Sequence, residues 1–266
     1  MALTICVWKK FRHPCPNPGK CAYCLRGETN LCVNRRFFGV MSENGSMAEY
    51  LCVPGKLLVP LPDGMSMEQG AMAEAAAVAY GAVHRAGSLS GKDVAIVGAG
   101  PIGLLILQMA KTFGAERVHV SDLDDNRLEI ARMLGASKVV NPGREELSSE
   151  IPEGVDVSFE AVGTTPTVAQ AITLTKNGGT SIWVGNSHKI IEVDMQAIVT
   201  RKLNVLGSYI YTHQQFVDTV KLLSEGMINC DAILSHRYPL KKGVEVMADM
   251  AENPRKYLKV MLMGES

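Results

Sequence analysis

The sequence predicts an α/β protein: a doubly wound, parallel six-stranded sheet, preceded by a β-rich segment and followed by a tail that returns to it. Three observations carry that class. From Lys92 onward strand-like and helix-like stretches alternate regularly. The first strand breaks into a glycine-rich turn that opens a helix. Residues 1–66 lack the alternation and are punctuated by Pro and Gly, with short strand-like runs at Met1–Trp8, Met47–Val53 and Lys56–Val59.

An alanine-rich helical stretch, Met67–Arg85, leads into the alternating part. Val94–Val97 is a short apolar run, as expected for a strand buried on both faces of a parallel sheet. Gly98-x-Gly100-x-x-Gly103 follows, and then Ile102, Leu105, Ile106 and Met109 recur at helical spacing. Gly98 permits the tight turn, Gly100 lets backbone approach a pyrophosphate, and Gly103 allows close helix-on-strand packing. Pro101 suits the first helical turn, where its missing N–H is not needed. The free N–H groups and dipole of that helix end favour an anion.

A second strand, Arg117–Ser121, ends in Asp122, nineteen residues after Gly103. That is where a dinucleotide-binding βαβ unit, the Rossmann arrangement, places a carboxylate on the adenosine ribose. An anionic Asp122 repels a 2′-phosphate, so the residues favour NAD over NADP, and Arg127 stands ready to soften that preference. The competing reading is an α/β domain with a glycine-rich turn and no nucleotide.

The alternation continues with a helix capped at Asp124 and stopped by Gly135, a strand at Lys138–Val140, and an acidic helix near Glu145–Glu150. Strand Val155–Phe159, helix Pro166–Leu174, strand Thr180–Val184, helix Met195–Arg201 and strand Leu203–Leu206 complete the sheet. Ligands of such sheets sit at the carboxyl ends of the strands, which singles out Asp122, the Glu160–Gly163 turn and Val184-Gly185-Asn186. The tail holds helices at Gln214–Leu223 and Lys241–Met250 and a last strand at Tyr257–Met263.

Twenty-seven basic residues balance 27 acidic ones, so bulk electrostatics point to neither nucleic acid nor a membrane surface. No apolar run is long enough to span a bilayer and the start lacks a basic, signal-like region, which makes a cytoplasmic location the expectation. Seven cysteines include a cluster, Cys15, Cys21, Cys24 and Cys32, spaced C-x5-C-x2-C-x7-C. Four thiolates can enclose Zn2+ tetrahedrally with no open position, a structural rather than a catalytic site. A disulfide or a set of unpaired thiols is the alternative.

Taken together, Gly19–Cys32, Gly45–Tyr50, Glu74, Gly98–Gly103, Ser121-Asp122, Phe159-Glu-Ala-Val-Gly163 and Gly207-Ser208 make the chain resemble the zinc-containing medium-chain alcohol and polyol dehydrogenases. The sorbitol, threonine and sugar-alcohol-phosphate branch is the most similar. The resemblance implies a partial GroES-like catalytic domain over 1–74, an NAD-binding domain over 75–212 and a return to the catalytic domain over 213–266. It also implies hydride transfer between an alcohol or polyol and NAD, a homo-oligomer (dimer or tetramer) with the strand near Leu203–Leu206 at its edge, and zinc as a second cofactor. Val162, Val184, Gly185 and Asn186 would line the nicotinamide side, and Glu74 matches the family's carboxylate ligand to catalytic zinc. As a plain sequence feature Glu74 is equally a carboxylate in a helix's first turn. The family's other catalytic ligands come from a segment that would precede Met1, so the chain is expected to lack its amino-terminal part; a nucleotide-binding protein without turnover is the alternative. The family's first lobe cysteine falls at Pro18 here, and Cys15 must be folded inward by the Pro16–Pro18 loop to replace it.

Overall fold

The computed structural model describes residues 5–7, 21–35 and 55–264. They fall into two compact units, Met1–Ala77 with Ile210–Gly226 and Leu234–Ser266, and Val78–Tyr209 with Met227–Ile233. The expected run Met47–Val53 lies outside the described residues. In the first unit, β1 (Ile5–Val7) pairs antiparallel with β2 (Leu58–Pro60), and α1 (Ala22–Leu25) is a single turn inside the cysteine lobe. Helix α2 spans Met67–Arg85, as the alanine-rich stretch predicts. Ser66 and Gln69 start it with reciprocal side chain-to-backbone hydrogen bonds, a capping box that stabilises the first turn.

The second unit holds the six-stranded sheet. Its elements are β3 (Asp93–Val97), α3 (Pro101–Thr112), β4 (Arg117–Ser121), α4 (Asp125–Met133), β5 (Lys138–Val140), α5 (Leu147–Glu150), β6 (Val155–Glu160), α6 (Thr165–Leu174), β7 (Thr175–Trp183), α7 (Met195–Thr200) and β8 (Asn204–Gly207). The strand order is β5-β4-β3-β6-β7-β8, and every pairing is parallel. The order reverses between β3 and β6, the switch point where doubly wound sheets open a crevice at their carboxyl edge. Strand β8 is an edge strand of this sheet.

Two elements differ from the expectation. Helix α3 buries more than the expected Ile102, Leu105, Ile106 and Met109 stripe, because Gly103 through Ala110 are all buried. A helix covered on every face cannot shift to relieve a clash. Strand β7 begins at Thr175 rather than Thr180, and the register with β6 slips between Val155 and Val157, so that 176–179 are absorbed as an irregularity. Buried hydroxyls fix that start. Thr175 Oγ1 donates to Ala171 O and lies in hydrogen-bond contact with Ser158 Oγ at 2.7 Å, and Ser158 Oγ is in turn 2.8 Å from Ser181 Oγ. A sequence reading that treats Gly178-Gly179 as a break misses this, since a β-bulge needs that kind of residue too.

His119 on β4 is buried, and neither ring nitrogen has a hydrogen-bond partner among the described residues. Burial holds its pKa below the ordinary histidine value of 6.5. The unfolded chain therefore takes up a proton that the native state resists, and stability falls as pH drops through about 6.5, by at most about 1.4 kcal/mol per pH unit. Urea melts at pH 5 and pH 7.5 should show that loss in the native chain and a smaller one in His119→Leu. An equal loss in the variant would remove His119 as the source.

In the tail, α8 (His213–Ser224) is capped by Thr212 and Gln215, and β9 (His236–Pro239) pairs in parallel with β10 (Val260–Met263) around α9 (Gly243–Glu252). Strand β9 is not expected from the sequence, because His-Arg-Tyr-Pro shows no alternation of apolar residues. Within the first unit Arg237 on β9 clamps Glu68 at the start of α2 with both carboxylate oxygens within 2.9 Å. No helix among the described residues is long and apolar enough to cross a membrane.

Candidate functional site

At the end of β3 the chain turns sharply. Gly98 donates to Ser121 O at 2.8 Å and has φ +104°, a conformation that favours glycine. A Cβ there would also meet Val162 Cγ2 at 2.6 Å. Gly100 is the N-cap of α3 and Pro101 its first residue. The first bond inside the helix is Leu104 N to Gly100 O, which leaves the N–H groups of Ile102 and Gly103 without partners in the helix. A Cβ at Gly100 would meet nothing within 4 Å, whereas one at Gly103 would overlap Gly98 O. The turn therefore offers free amides at a helix N-terminus, open space at Gly100, and tight packing behind it. A diphosphate fits these features.

Asp122 lies at the end of β4, half-buried. Its Oδ2 accepts from Ala99 N at 2.6 Å and its Oδ1 from Asp124 N at 2.9 Å, so one carboxylate holds the glycine turn and the start of α4. Each oxygen keeps lone-pair capacity for a ribose hydroxyl. Arg127 is turned toward Asp124, with Nε 3.9 Å from Oδ2. The hydrogen bonds of Asp122 go to Ala99 N and Asp124 N rather than to Arg127.

Val162, Val184, Gly185 and Asn186 come together beside Gly98. Gly163, at φ +90°, lies so close to Asn186 N and Ser187 N that any side chain would collide with them, and Gly185 is pressed equally against Gly163 N. His188 N donates to Gly163 O at 3.0 Å and Ser187 Oγ to Val162 O at 2.6 Å. Ser187 joins this cluster beyond the residues the sequence singles out, and Glu160, which opens the expected Glu160–Gly163 turn, is fully buried in it. The signal for Glu160 is in the sequence, as an acid closing the apolar strand Val155–Phe159.

In the first unit Cys21 caps α1, Cys24 lies within it, and Cys32 follows a 3-10 turn, Thr29–Leu31. Their three sulfurs lie within 4.8 Å of one another, with Cys21 and Cys24 at 3.4 Å, and none of the three is in a disulfide. A Zn–S distance of about 2.3 Å in a tetrahedron separates sulfurs by roughly 3.8 Å, so the cluster fits zinc. The backbone N–H of Cys24 draws the Cys21 thiol down to about 7, while burial and the neighbouring thiols push Cys24 up to about 12. Crowded thiols resist sharing negative charge, and a bound cation relieves that. Cys15 lies outside the described residues.

Glu74 is half-buried on α2 and takes a long contact, 3.5 Å, from the hydroxyl of Tyr211, which is itself buried against Phe216. Among the described residues the only group of three or more metal-ligating side chains is the cysteine cluster, and Glu74 is not part of it. Catalytic zinc needs about three protein ligands, and the described residues alone do not supply them.

Comparison with known proteins agrees with this arrangement. The zinc-binding dehydrogenase family profile matches residues 101–225, and that of the alcohol dehydrogenase GroES-like domain matches residues 6–63. L-idonate 5-dehydrogenase of Vitis vinifera is 33% identical over 252 residues, covering 91% of this chain and 69% of that protein. D-arabitol-phosphate dehydrogenase of Enterococcus avium is also 33% identical over 252 residues, covering 92% and 71%. Among solved structures, a Sinorhizobium meliloti 1021 protein bound to NADP superposes with a TM-score of 0.83 at 32% identity, covering 92% of this chain and 73% of that one. An Escherichia coli CFT073 alcohol dehydrogenase complexed with NADH superposes with a TM-score of 0.86 at 25% identity, covering 92% and 73%. The chain belongs to the zinc-containing medium-chain alcohol and polyol dehydrogenase family of NAD-dependent oxidoreductases.

Proposed function

We propose that this chain binds NAD along the carboxyl edge of its six-stranded sheet and serves hydride transfer to or from a polyol or other secondary alcohol. The observation that supports this most directly is the α3 N-terminus, where free amides meet open space at Gly100 while Asp122 is tied to the same turn. When bound, the nicotinamide accepts a hydride from the alcohol carbon; the protein's part is to hold and orient it. The amides of Ile102 and Gly103 would take the pyrophosphate, with Gly98, Gly100 and Pro101 shaping the turn. Asp122, with Arg127 nearby, would take the adenosine ribose, and its charge favours NAD over NADP. Val162, Val184, Gly185 and Asn186 would face the nicotinamide half.

The same proposal includes the domain division at 74 and 212, a cytoplasmic homo-oligomer with β8 at its edge, and Glu74 as a carboxylate on the substrate side. Substrates with neighbouring hydroxyls are favoured by the names of the relatives, idonate and arabitol phosphate. Titrating the chain with NADH and following nucleotide fluorescence tests the cofactor; absence of saturable binding would end the proposal. Assaying NAD reduction by a panel of polyols with added zinc then separates a dehydrogenase from a protein that only holds the nucleotide.

We also propose that Cys21, Cys24 and Cys32 hold structural zinc with Cys15 as the fourth thiolate. Metal analysis should give about one zinc per chain for this lobe. Cys32→Ser and Cys15→Ser should each lose it, with a thiol reagent then titrating the remaining lobe cysteines quickly. Zinc kept at full occupancy in Cys15→Ser would exclude Cys15.

A further inference from the structure

Glu160 is 0% exposed, at the end of a strand where an aliphatic residue would be the inexpensive choice. Four backbone donors from two separate turns converge on it. Its Oε1 accepts from Val162 N at 3.0 Å and Gly163 N at 2.7 Å. Its carbonyl oxygen accepts from Val184 N at 2.8 Å and Gly185 N at 3.0 Å. The other carboxylate oxygen, Oε2, has no hydrogen-bond partner among the described residues and occupies the place a Gly185 side chain would need. Two glycines thus give up their side chains so that the turns can close on one carboxylate.

We propose that Glu160 is the positioning residue for the pair of turns, 161–164 and 184–187, that faces the nicotinamide half of the cofactor; this rests on the NAD reading above. Phosphate and adenosine would be held by the α3 N-terminus and Asp122, whereas the Glu160 carboxylate bonds Val162 N and Gly163 N. Loss of the Glu160 acceptor leaves the half-buried Val162 amide and the buried Gly163 amide unpaired, so the turns separate to find water. The nicotinamide half of the site loosens while the adenosine half stays.

NADH and ADP-ribose, which lacks the nicotinamide, divide the two halves. Calorimetric titrations would use the native chain, Glu160→Gln and Glu160→Ala, with thermal melts alongside. Glu160→Ala is expected to weaken NADH about tenfold and ADP-ribose less than about twofold, with a smaller fluorescence enhancement of bound NADH. Glu160→Gln keeps an acceptor for the two amides and should restore NADH to within about threefold of the native value. Gly185→Ala, which keeps the glutamate but whose methyl group would collide with Glu160 Oε2 and Gly163 N and so force the turns apart, should reproduce the Glu160→Ala pattern and serves if that variant does not fold. Equal weakening of both ligands, no weakening of either, or failure of glutamine to restore NADH binding would overturn the assignment. A native chain that binds neither ligand would instead remove the cofactor reading itself.

Discussion

Gly103→Ala is expected to be among the most damaging single-methyl changes in this protein. The added carbon would overlap the carbonyl oxygen of Gly98, whose own position is fixed by its bond to Ser121 O. Relief would require α3 to move away from β3, but the helix is buried on every face from Gly103 to Ala110. Overpacking of rigid backbone costs about 3 kcal/mol or more. For a chain of this size that lowers the melting temperature by roughly 10 °C, and NADH binding should be lost with it. Gly100→Ala is the control. Its φ of −68° suits alanine and its Cβ would point into open space, so the melting temperature should be unchanged or slightly higher. NADH affinity should nonetheless fall at least about tenfold, because the methyl group stands where the pyrophosphate approaches. Two alanines three residues apart would then separate packing from binding. Gly103→Ala melting with the native chain would refute the packing argument, and Gly100→Ala with native affinity would refute the phosphate site.

The glycine pattern is legible in the sequence because each glycine answers a local demand that its spacing announces. The same is true of the Asp124 cap, where Oδ1 accepts from Asn126 N and Arg127 N, and of α2 from end to end. What was hidden depends on partners far along the chain. Strand β7 starts early because Thr175 meets Ser158 across the sheet, which no pattern within 175–179 can signal. Strand β9 exists because β10 runs alongside it. Glu160 is conspicuous in the sequence as an acid in an apolar strand, yet its partners Val184 and Gly185 are set beside it only by the pairing of β6 with β7. The spacing of Ile102, Leu105, Ile106 and Met109 marks α3 as a helix, whereas the burial of Gln108 among them depends on distant neighbours that the spacing does not reveal.

Asp122 carries the second large effect, on selectivity rather than folding. One oxygen holds Ala99 N and the other Asp124 N, and in the proposed complex the same group meets the ribose hydroxyls. Asp122→Asn keeps an acceptor for only one of those amides and removes the charge. NAD affinity should fall about tenfold through the lost ribose bonds and the loosened turn. NADP should respond in the opposite sense, because a carboxylate a few ångströms from a 2′-phosphate opposes it by about 2 kcal/mol in a half-buried site, roughly thirtyfold. Asp122→Gly removes the carboxylate altogether and frees Arg127 to turn from Asp124, 3.9 Å away, toward the added phosphate. The ratio of NADP to NAD dissociation constants should therefore shrink in the order native, Asn, Gly, and high salt should shrink it further in the native chain by screening the repulsion. A ratio unchanged in both variants would mean that the carboxylate serves only Ala99 and Asp124. Preference between the two cofactors would then have to come from the shape of the pocket around the ribose rather than from charge.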